Sequence, residues 1–197
     1  MWMQTLFEGL AATLDGEAEI ERVAAKALLD AAPLANEAAP SEWETLPGKI
    51  IDVLLRDDAL PVCQLIAQSR FPWAPPQTSN DPKYIEHSLP KVHVELLGPE
   101  GLIASEDLRL GLYGMLPNFE YGIRTHPAEE VFVMLAGEAH WKRGENDYAP
   151  LGPGGRSLHP SMLPHANKTQ DQSFMSIYVW RGDVSTDGYQ YRGIPES

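Results

Sequence analysis

Apolar residues in the first part of the chain recur at helical spacing. Leu6, Leu10 and Leu14 stand four residues apart, and a second apolar face follows the break at Asp15-Gly16. The members of this second face are Ile20, Val23, Ala24, Ala27, Leu28 and Ala31. Because side chains at this spacing share one side of an α-helix, the pattern predicts two amphipathic helices, the second of which ends at Pro33.

A third helix and an irregular connection are predicted before residue 80. Residues 41–44 have the spacing of a capping box and precede a helical stretch from Lys49 to Arg56. The segment from Phe71 to Asn80 contains three prolines, which interrupt regular secondary structure. We therefore expect this segment to connect the helical part to the remainder of the chain.

Beyond residue 80 the apolar positions alternate with a period of two. Five segments show the alternation: 92–96, 108–116, 131–136, 139–142 and 174–180. Short segments of this kind, separated by Gly, Pro and Asn with no helices between them, indicate an antiparallel sandwich or barrel. In the last segment, one face carries Phe174, Ser176, Tyr178 and Trp180, and the other carries Met175, Ile177 and Val179. One of these two faces is expected to line a cavity.

Length and composition limit the classes of protein to which the chain can belong. Its 197 residues suffice for one good-sized core, so we expect a helical segment with a proline-rich connection over 1–80 and a β-barrel over 81–197. A net charge of -13 argues against nucleic acid or an anionic membrane as a partner. Cys63 is the only cysteine, which excludes a disulfide framework or a thiolate zinc site within one chain.

The sequence shows no apolar run long enough for a membrane span. Residues 1–14 lack the basic start and the small-residue cleavage site of a signal peptide. The expected location is therefore cytoplasmic.

A first short motif begins at Arg124. His126 follows after one residue, Glu130 after three more, and Gly137 after a further six. Positions 124 and 126 share one face of a strand, because successive side chains of a strand point to opposite faces. This frame resembles the first motif of the cupin superfamily, in which the position of Arg124 usually carries a histidine.

A second motif keeps the downstream half of the same pattern. Gly154, Pro160 and His165 follow the frame of one glycine, five residues, a proline, four residues and a histidine. Met162 stands where a glycine is usual. The pair of motifs resembles that of cupins, which implies a mostly β fold, a double-stranded β-helix or jelly-roll barrel, behind the helical segment.

The two motifs together predict a metal site. His126, Glu130 and His165 would bring two imidazoles and a carboxylate to one point inside the barrel. Mixed nitrogen and oxygen ligands suit zinc, iron, manganese or nickel, and three protein ligands leave positions open for water and substrate. We expect a divalent metal ion at these residues, bound more weakly than in a four-ligand relative because Arg124 replaces one imidazole.

Four further histidines have no such frame. His140 and His159 are predicted to be structural or exposed, and the pattern leaves His87 and His93 without an assignment. A lone histidine on a strand is more often a core or surface residue than a metal ligand, so none of them joins the predicted site.

Longer blocks around the motifs are similar to the cupin-type dimethylsulfoniopropionate (DMSP) lyases. The blocks are Glu95–Pro99, Gly111–Tyr113, Asn118–Trp141, Pro164–Thr169 and Tyr178–Asp183. The resemblance covers most of residues 84–183, and that family also has a helical part before its barrel. It implies a metal-dependent β-elimination that splits DMSP, a sulfonium carboxylate, into dimethyl sulfide and acrylate.

The resemblance also implies roles for particular residues. The tyrosine that serves the family as general base falls on Phe132, which carries no hydroxyl. Tyr121, which falls on a second tyrosine of the family pocket, is then the candidate base, and its pKa would need to be lowered from about 10 by the metal or by Arg124. Tyr178 and Trp180 would join Phe132 in the substrate pocket, where aromatic faces can hold a sulfonium cation; the alternative is that these side chains simply fill an aromatic core.

The sequence leaves three alternative roles for Arg124. It could pair with Glu130 and occupy the metal position, it could point into solvent, or it could grip a substrate carboxylate with its planar fork of donors. The function is open as well. The chain is either a lyase of this type or a cupin without activity that binds a small carboxylate or another metabolite, and a homodimer remains an alternative to a monomer.

Overall fold

A computed structural model describes residues 2–195 and confirms that helices precede strands along the chain. The predicted segments 1–80 and 81–197 include three residues that lie outside the described residues: Met1, Glu196 and Ser197. The helices are α1 Trp2–Thr13, α2 Glu19–Ala35, α3 Gly48–Leu54, α4 Cys63–Ala67 and α5 Pro82–Ser88. None of these helices has both the length and the apolar character needed to cross a bilayer.

Two details of the predicted helices are wrong. Helix α2 continues through Pro33 to Ala35: the proline lacks the N–H that would bond to the carbonyl of Leu29, but Ala32 and Ala35 are buried and stabilise the last turn. The third predicted helix, Lys49 to Arg56, is confirmed as α3 Gly48–Leu54, but it begins directly after Pro47 without a side-chain cap, so the capping-box spacing at 41–44 does not cap it.

Eleven strands follow within the described residues, with no helix between them. They are β1 Lys91–Gly98, β2 Ile103–Ala104, β3 Leu108–Met115, β4 Glu120–Thr125, β5 Glu129–Gly137, β6 Ala139–Arg143, β7 Ala149–Leu151, β8 Arg156–His159, β9 His165–Lys168, β10 Phe174–Arg181 and β11 Gln190–Gly193. The five segments with period-two alternation are thus confirmed as β1, β3, β5, β6 and β10.

The strands form two sheets, as expected for a jelly roll. One sheet has the order β2-β1-β3-β10-β5-β8, and the other has the order β11-β4-β9-β6-β7. All neighbouring strands are antiparallel except β1 and β2. The predicted cupin barrel is confirmed in this arrangement, while the division of the chain at residue 80 stays a prediction.

The six-stranded sheet is buried on both faces. Met175, Ile177 and Val179 on β10 belong to an aliphatic core that also includes the inward faces of the helices. Tyr178 and Trp180, on the other face of the same strand, belong to an aromatic cluster inside the barrel. The two faces predicted from the alternation are therefore both present, and the helices cover the outer one.

The proline-rich connection lies across one end of the barrel. Ala74 forms a two-way backbone bridge with His93 of β1, with N···O distances of 3.3 and 2.8 Å. The rest of the connection has no regular structure, as predicted. This bridge fixes the connection at the edge of the barrel interior.

Candidate functional site

A cavity of about 360 Å³ occupies the barrel interior. Its walls carry Arg124 from β4, Glu130 from β5 and Trp180 from β10, together with several tyrosines. Residues of the proline-rich connection from Pro72 to Thr78 line it as well. Six of the eight site residues predicted from sequence line this cavity, and the two that do not are His126 and His165.

The structure brings His126, Glu130 and His165 together. Glu130 Oε2 lies 3.4 Å from Nε2 of His126 and 3.1 Å from Nε2 of His165. One nitrogen or oxygen atom from each residue lies within 4.8 Å of the other two, and all three residues are buried. Cross-strand pairing explains the convergence, since β4 and β9 place Arg124 directly opposite His165 and β5 begins just after His126.

In both imidazoles a hydrogen bond engages Nδ1 and leaves Nε2 free to bind a metal. His126 Nδ1 lies 3.1 Å from the carbonyl of Ala128, and His165 Nδ1 lies 2.8 Å from the carbonyl of Leu163. A carbonyl can only accept, so each Nδ1 carries the hydrogen and each Nε2 presents a lone pair. Both Nε2 atoms are buried without a hydrogen-bond partner in the described part of the chain. Two lone pairs facing a carboxylate fit a cation held between them.

The ionisation states agree with such a donor set. Burial alone would raise the pKa of Glu130, but His126 and the neighbouring imidazoles outweigh burial and hold this pKa well below its usual range. Burial, together with His159 and Arg124, holds the pKa of His165 well below its usual range. The carboxylate is therefore charged and the His165 imidazole neutral near pH 7, as metal ligands must be.

Two further side chains fix the orientation of Glu130. Trp180 Nε1 donates to Glu130 Oε1 at 2.6 Å, and its ring stacks on His126 with centroids 4.1 Å apart. His159 Nδ1 lies 3.0 Å from Glu130 Oε2, while its Nε2 lies 2.8 Å from the Ser157 hydroxyl. Predicted only as structural or exposed, His159 is fully buried and holds a candidate ligand in place.

Arg124 is buried, with 2% of its surface exposed, so the solvent-facing alternative is excluded. Within the described residues it forms no ion pair with Glu130. Its Nη2 donates to Asn167 at 3.1 Å, and its Cζ lies 3.9 Å from the ring centroid of Tyr121. Its Nη1 is buried without a hydrogen-bond partner among those residues. A charged fork with a free N–H in the cavity wall matches the third alternative, the grip on a carboxylate.

Tyr121 faces the same cavity, but its hydroxyl is engaged. The oxygen lies 2.5 Å from the hydroxyl of Tyr189, and the ring lies 3.0 Å from Lys91 Nζ, measured to its centroid. Burial raises the pKa of Tyr121 well above its usual value, and the opposing influence of Arg124 is smaller. The pKa of Tyr121 is therefore shifted in the direction opposite to the one that a general base at this position would need.

Phe132 stands where the resemblance places the family tyrosine, and its ring makes aromatic contacts and lies 5.9 Å from the Arg124 Cζ. Its ring packs on Trp141, with centroids 4.5 Å apart, and on Tyr113, with centroids 5.6 Å apart.

Met162 stands where the second sequence motif usually has a glycine, and it has a backbone φ of 62°. This is the left-handed region that glycine adopts most easily, which explains why a glycine is usual there.

One polar pair in the cavity wall was not predicted from the sequence. His93 Nε2 lies 2.8 Å from the hydroxyl of Tyr178, and both residues line the cavity. A signal was present, because His93 and Glu95 alternate on β1 with the apolar Val92, Val94 and Leu96. Polar residues on the inward face of a buried strand indicate a site.

The middle of the chain matches a known protein family. The family model for dimethylsulfoniopropionate lyase matches residues 73–176, which is more than half of the 197 residues. The dimethylsulfoniopropionate lyase DddQ of Ruegeria pomeroyi is 41% identical over 91 residues. That alignment covers 46% of this chain and 45% of the relative, so the chain matches less than half the length of that protein.

Solved structures support the same fold. The crystal structure of DMSP lyase DddQ from Ruegeria pomeroyi DSS-3 superimposes with a TM-score of 0.60 at 23% identity, covering 90% of this chain and 98% of that one. The structures of DMSP lyases RdDddP and RnDddQII give a TM-score of 0.59 at 22% identity, covering 85% and 95%. The family match and the shared cupin fold agree, and the chain belongs to the cupin DMSP lyase family.

Proposed function

We propose that the protein is a metal-dependent carbon-sulfur lyase that cleaves DMSP, or a related β-substituted propionate, to acrylate and a sulfide. One observation carries the proposal: Glu130, which belongs to the three-residue ligand group, lines the same cavity as a buried guanidinium that has an N–H without a hydrogen-bond partner among the described residues. A carboxylate substrate needs such positive groups, and family membership supports this choice of substrate.

His126, Glu130 and His165 would hold a divalent ion such as zinc, iron, manganese or nickel. When bound, the ion supplies a Lewis acid that polarises the substrate carboxylate and makes the adjacent C–H bond more acidic.

Arg124 binds and orients the substrate in this proposal. Its guanidinium can form charge-assisted hydrogen bonds to a carboxylate oxygen, and Asn167 holds it at 3.1 Å so that it need not reorganise on binding. Tyr121 and Glu130 help to raise its pKa despite burial, so the group is charged at every relevant pH.

The aromatic walls suit the other end of the substrate. Phe132, Tyr178 and Trp180 are buried side by side, with 4 to 7% of their surfaces exposed. Their ring faces can attract a sulfonium cation, which has no hydrogen to donate. A zwitterion would then lie with its carboxylate at Arg124 and its sulfonium among the rings.

The elimination itself requires a base at the substrate carbon next to the carboxylate. Its C–H bond breaks, the electron pair forms the new C=C bond, and the C–S bond breaks with its pair moving to sulfur. Four tyrosines line the cavity, Tyr113, Tyr121, Tyr178 and Tyr189, and we consider Tyr121 and Tyr178 as acceptors of the proton. Tyr121 is the candidate from sequence.

One observation favours a second function. The resemblance places the family's general-base tyrosine at Phe132, which has no hydroxyl. Without another base, the site would bind a small carboxylate and not cleave it.

A headspace assay decides between the two functions. Purified protein supplemented with each of the four metals in turn is given DMSP, and dimethyl sulfide is measured by gas chromatography and acrylate by liquid chromatography. The lyase proposal expects both products in equal amounts, and a loss of both in Glu130→Gln. Calorimetric binding of DMSP with release of neither product would establish the binding function instead.

A further inference from the structure

Tyr178 and His93 form a hydrogen-bonded pair in the cavity wall. They lie on β10 and β1, the two strands that flank β3, and both pair with β3 near Tyr113. The Tyr178 hydroxyl lies 2.8 Å from His93 Nε2, and the two rings are 5.1 Å apart at their centroids. The contact depends on the register of three strands. His93 of β1 and Ser176 of β10 both lie opposite Tyr113 of β3. Tyr178 is two residues beyond Ser176 and therefore on the same face.

The pair lies beside the position of the missing hydroxyl. Tyr178 is the direct cross-strand partner of Phe132 in the ladder of β10 and β5. Directly opposed side chains share one face of a sheet, with Cβ atoms about 4.5–5.5 Å apart. A substrate resting against the Phe132 ring therefore also lies against Tyr178.

We propose that Tyr178 is the general base of the elimination and that His93 is the proton acceptor behind it. This inference rests on the proposed function and names the residue that performs its proton transfer. The Tyr178 oxygen takes the proton from the substrate carbon while the Tyr178 hydrogen passes to His93 Nε2. The products are acrylate, a neutral sulfide and an imidazolium at His93, so charge and atoms balance.

The ionisation of the pair favours a relay over a free phenolate. Burial raises the pKa of Tyr178 well above its usual value, and the nearby Glu95 adds to this, so the hydroxyl keeps its hydrogen until another group accepts it. Burial, Arg109 and Lys91 lower the pKa of His93 to about 4, which leaves the imidazole neutral near pH 7. A neutral Nε2 can accept the hydrogen bond, and with this lowered pKa a proton that it takes up is held only transiently.

The surroundings also allow the relay to reset. His93 is only partly buried and lies where the connection from Ala74 to Thr78 meets the cavity edge. An imidazolium with a lowered pKa releases its proton readily to water there. Glu95, paired with Arg109 at 2.7 Å, lies on the same face of β1 and can stabilise the transient charge.

Steady-state kinetics with matched hydroxyl deletions tests the catalytic role. Tyr178→Phe keeps the aromatic face but removes the relay, so kcat should fall by about 10²- to 10⁴-fold with KM little changed. Tyr148→Phe is the control, because that hydroxyl binds Glu120 at 2.6 Å outside the cavity. If Tyr121→Phe loses activity on this scale while Tyr178→Phe keeps it, Tyr121 is the base and the relay is refuted.

The tautomer of His93 gives a test that needs no turnover. Nitrogen NMR of labelled protein should show His93 neutral, with its hydrogen on Nδ1 and Nε2 accepting, and Tyr178→Phe should shift the Nε2 signal. A hydrogen found on Nε2 would overturn the relay, because Tyr178 could then pass nothing on. If wild type releases no dimethyl sulfide, the proposed function fails, and the tautomer still decides whether the pair can accept a proton.

Discussion

The two faces of the six-stranded sheet have different contents although the same strands supply both. On β10, Ile177 faces the helices among aliphatic side chains that need no hydrogen bonds, whereas Tyr178, its neighbour, faces the barrel interior. The interior also buries a guanidinium, a carboxylate and three imidazoles. We therefore expect the outer face to contribute mainly to stability and the inner face to carry the chemistry.

The inner face carries an energetic cost that the outer face must offset. Arg124 Nη1, His126 Nε2 and His165 Nε2 are buried without hydrogen-bond partners in the described chain. Each unsatisfied polar atom costs about 1–3 kcal/mol. By contrast, each fully buried leucine or isoleucine of the outer face stabilises the fold by about 1.5–3 kcal/mol. Ligand binding at the inner face would recover part of the cost.

The largest expected effect on the inner face comes from removing the Tyr178 hydroxyl and then placing a hydroxyl at the neighbouring position 132. Tyr178→Phe should lower kcat by about 10²- to 10⁴-fold, and adding Phe132→Tyr should recover at least about tenfold of that loss, since the two positions are direct cross-strand partners. Single-turnover cleavage of DMSP measures both variants. No recovery in a double variant that folds would argue that the hydroxyl must contact His93 itself.

On the outer face, truncation should affect stability and leave the site unchanged. Ile177→Ala removes a fully buried side chain and should lower the free energy of unfolding by about 2–5 kcal/mol in urea titration. Tyr178→Phe, one residue away, should lower it by only about 0.5–1.5 kcal/mol because one hydrogen bond is lost. Equal losses in the two variants would show that the faces are not energetically distinct.

His159 should influence metal affinity without binding the metal. His159→Asn removes the hydrogen bond that orients Glu130, and metal affinity should fall by about 10- to 100-fold in competition with a fluorescent chelator. His140→Asn is the matched control, because His140 lies outside the predicted metal group and faces Glu138 at 3.3 Å. An equal effect of both substitutions would contradict the orienting role.

Arg124 should oppose metal binding while it favours the substrate. Arg124→His removes a buried cation and offers an imidazole, so metal affinity should rise by about tenfold, or 1.4 kcal/mol. Arg124→Gln separates the two contributions, since it removes the charge without adding a ligand. Unchanged affinity in both variants would mean that the guanidinium lies too far from the ligand group to matter.

The smallest expected effect is a pH dependence of stability from His93. Its pKa of about 4 in the folded chain lies below the ordinary 6.5, so the unfolded chain binds more protons between these values. The stabilising contribution is complete above about pH 6.5 and is lost as the pH falls toward 4. Urea titrations across this window should show a steeper loss for wild type than for His93→Gln, and parallel curves would contradict the shifted pKa.

A strand could be predicted from the sequence where its inward-facing residues are apolar or aromatic, and not where they are polar. Strand β10 was recognisable because both of its faces are apolar or aromatic. Strands β4 and β9 show no apolar alternation, since their inward positions carry Arg124, His165 and Asn167, and only the motif spacing placed residue 124 on a strand. The spacing rule for metal ligands nevertheless identified His165 on one of these strands.

The contacts between distant strands could not be predicted from local patterns. His93 meets Tyr178 only through the registers of β1, β3 and β10, and His159 meets Glu130 through the register of β8 and β5. Register is a property of the assembled sheet, set by bulges such as the one between Glu95 and Leu97. Local patterns indicated the residue types of the site, and the sheet determined which of them touch.

The bridge between Ala74 and His93 has a consequence for how a substrate enters. The prolines around Ala74 have fixed φ angles, and the bridge attaches this stretch to a strand of the main sheet. We therefore expect an aperture of constant width instead of a lid that opens and closes. Selection among sulfonium compounds would then depend on whether their alkyl groups are small enough to pass this aperture, before the substrate contacts the catalytic groups.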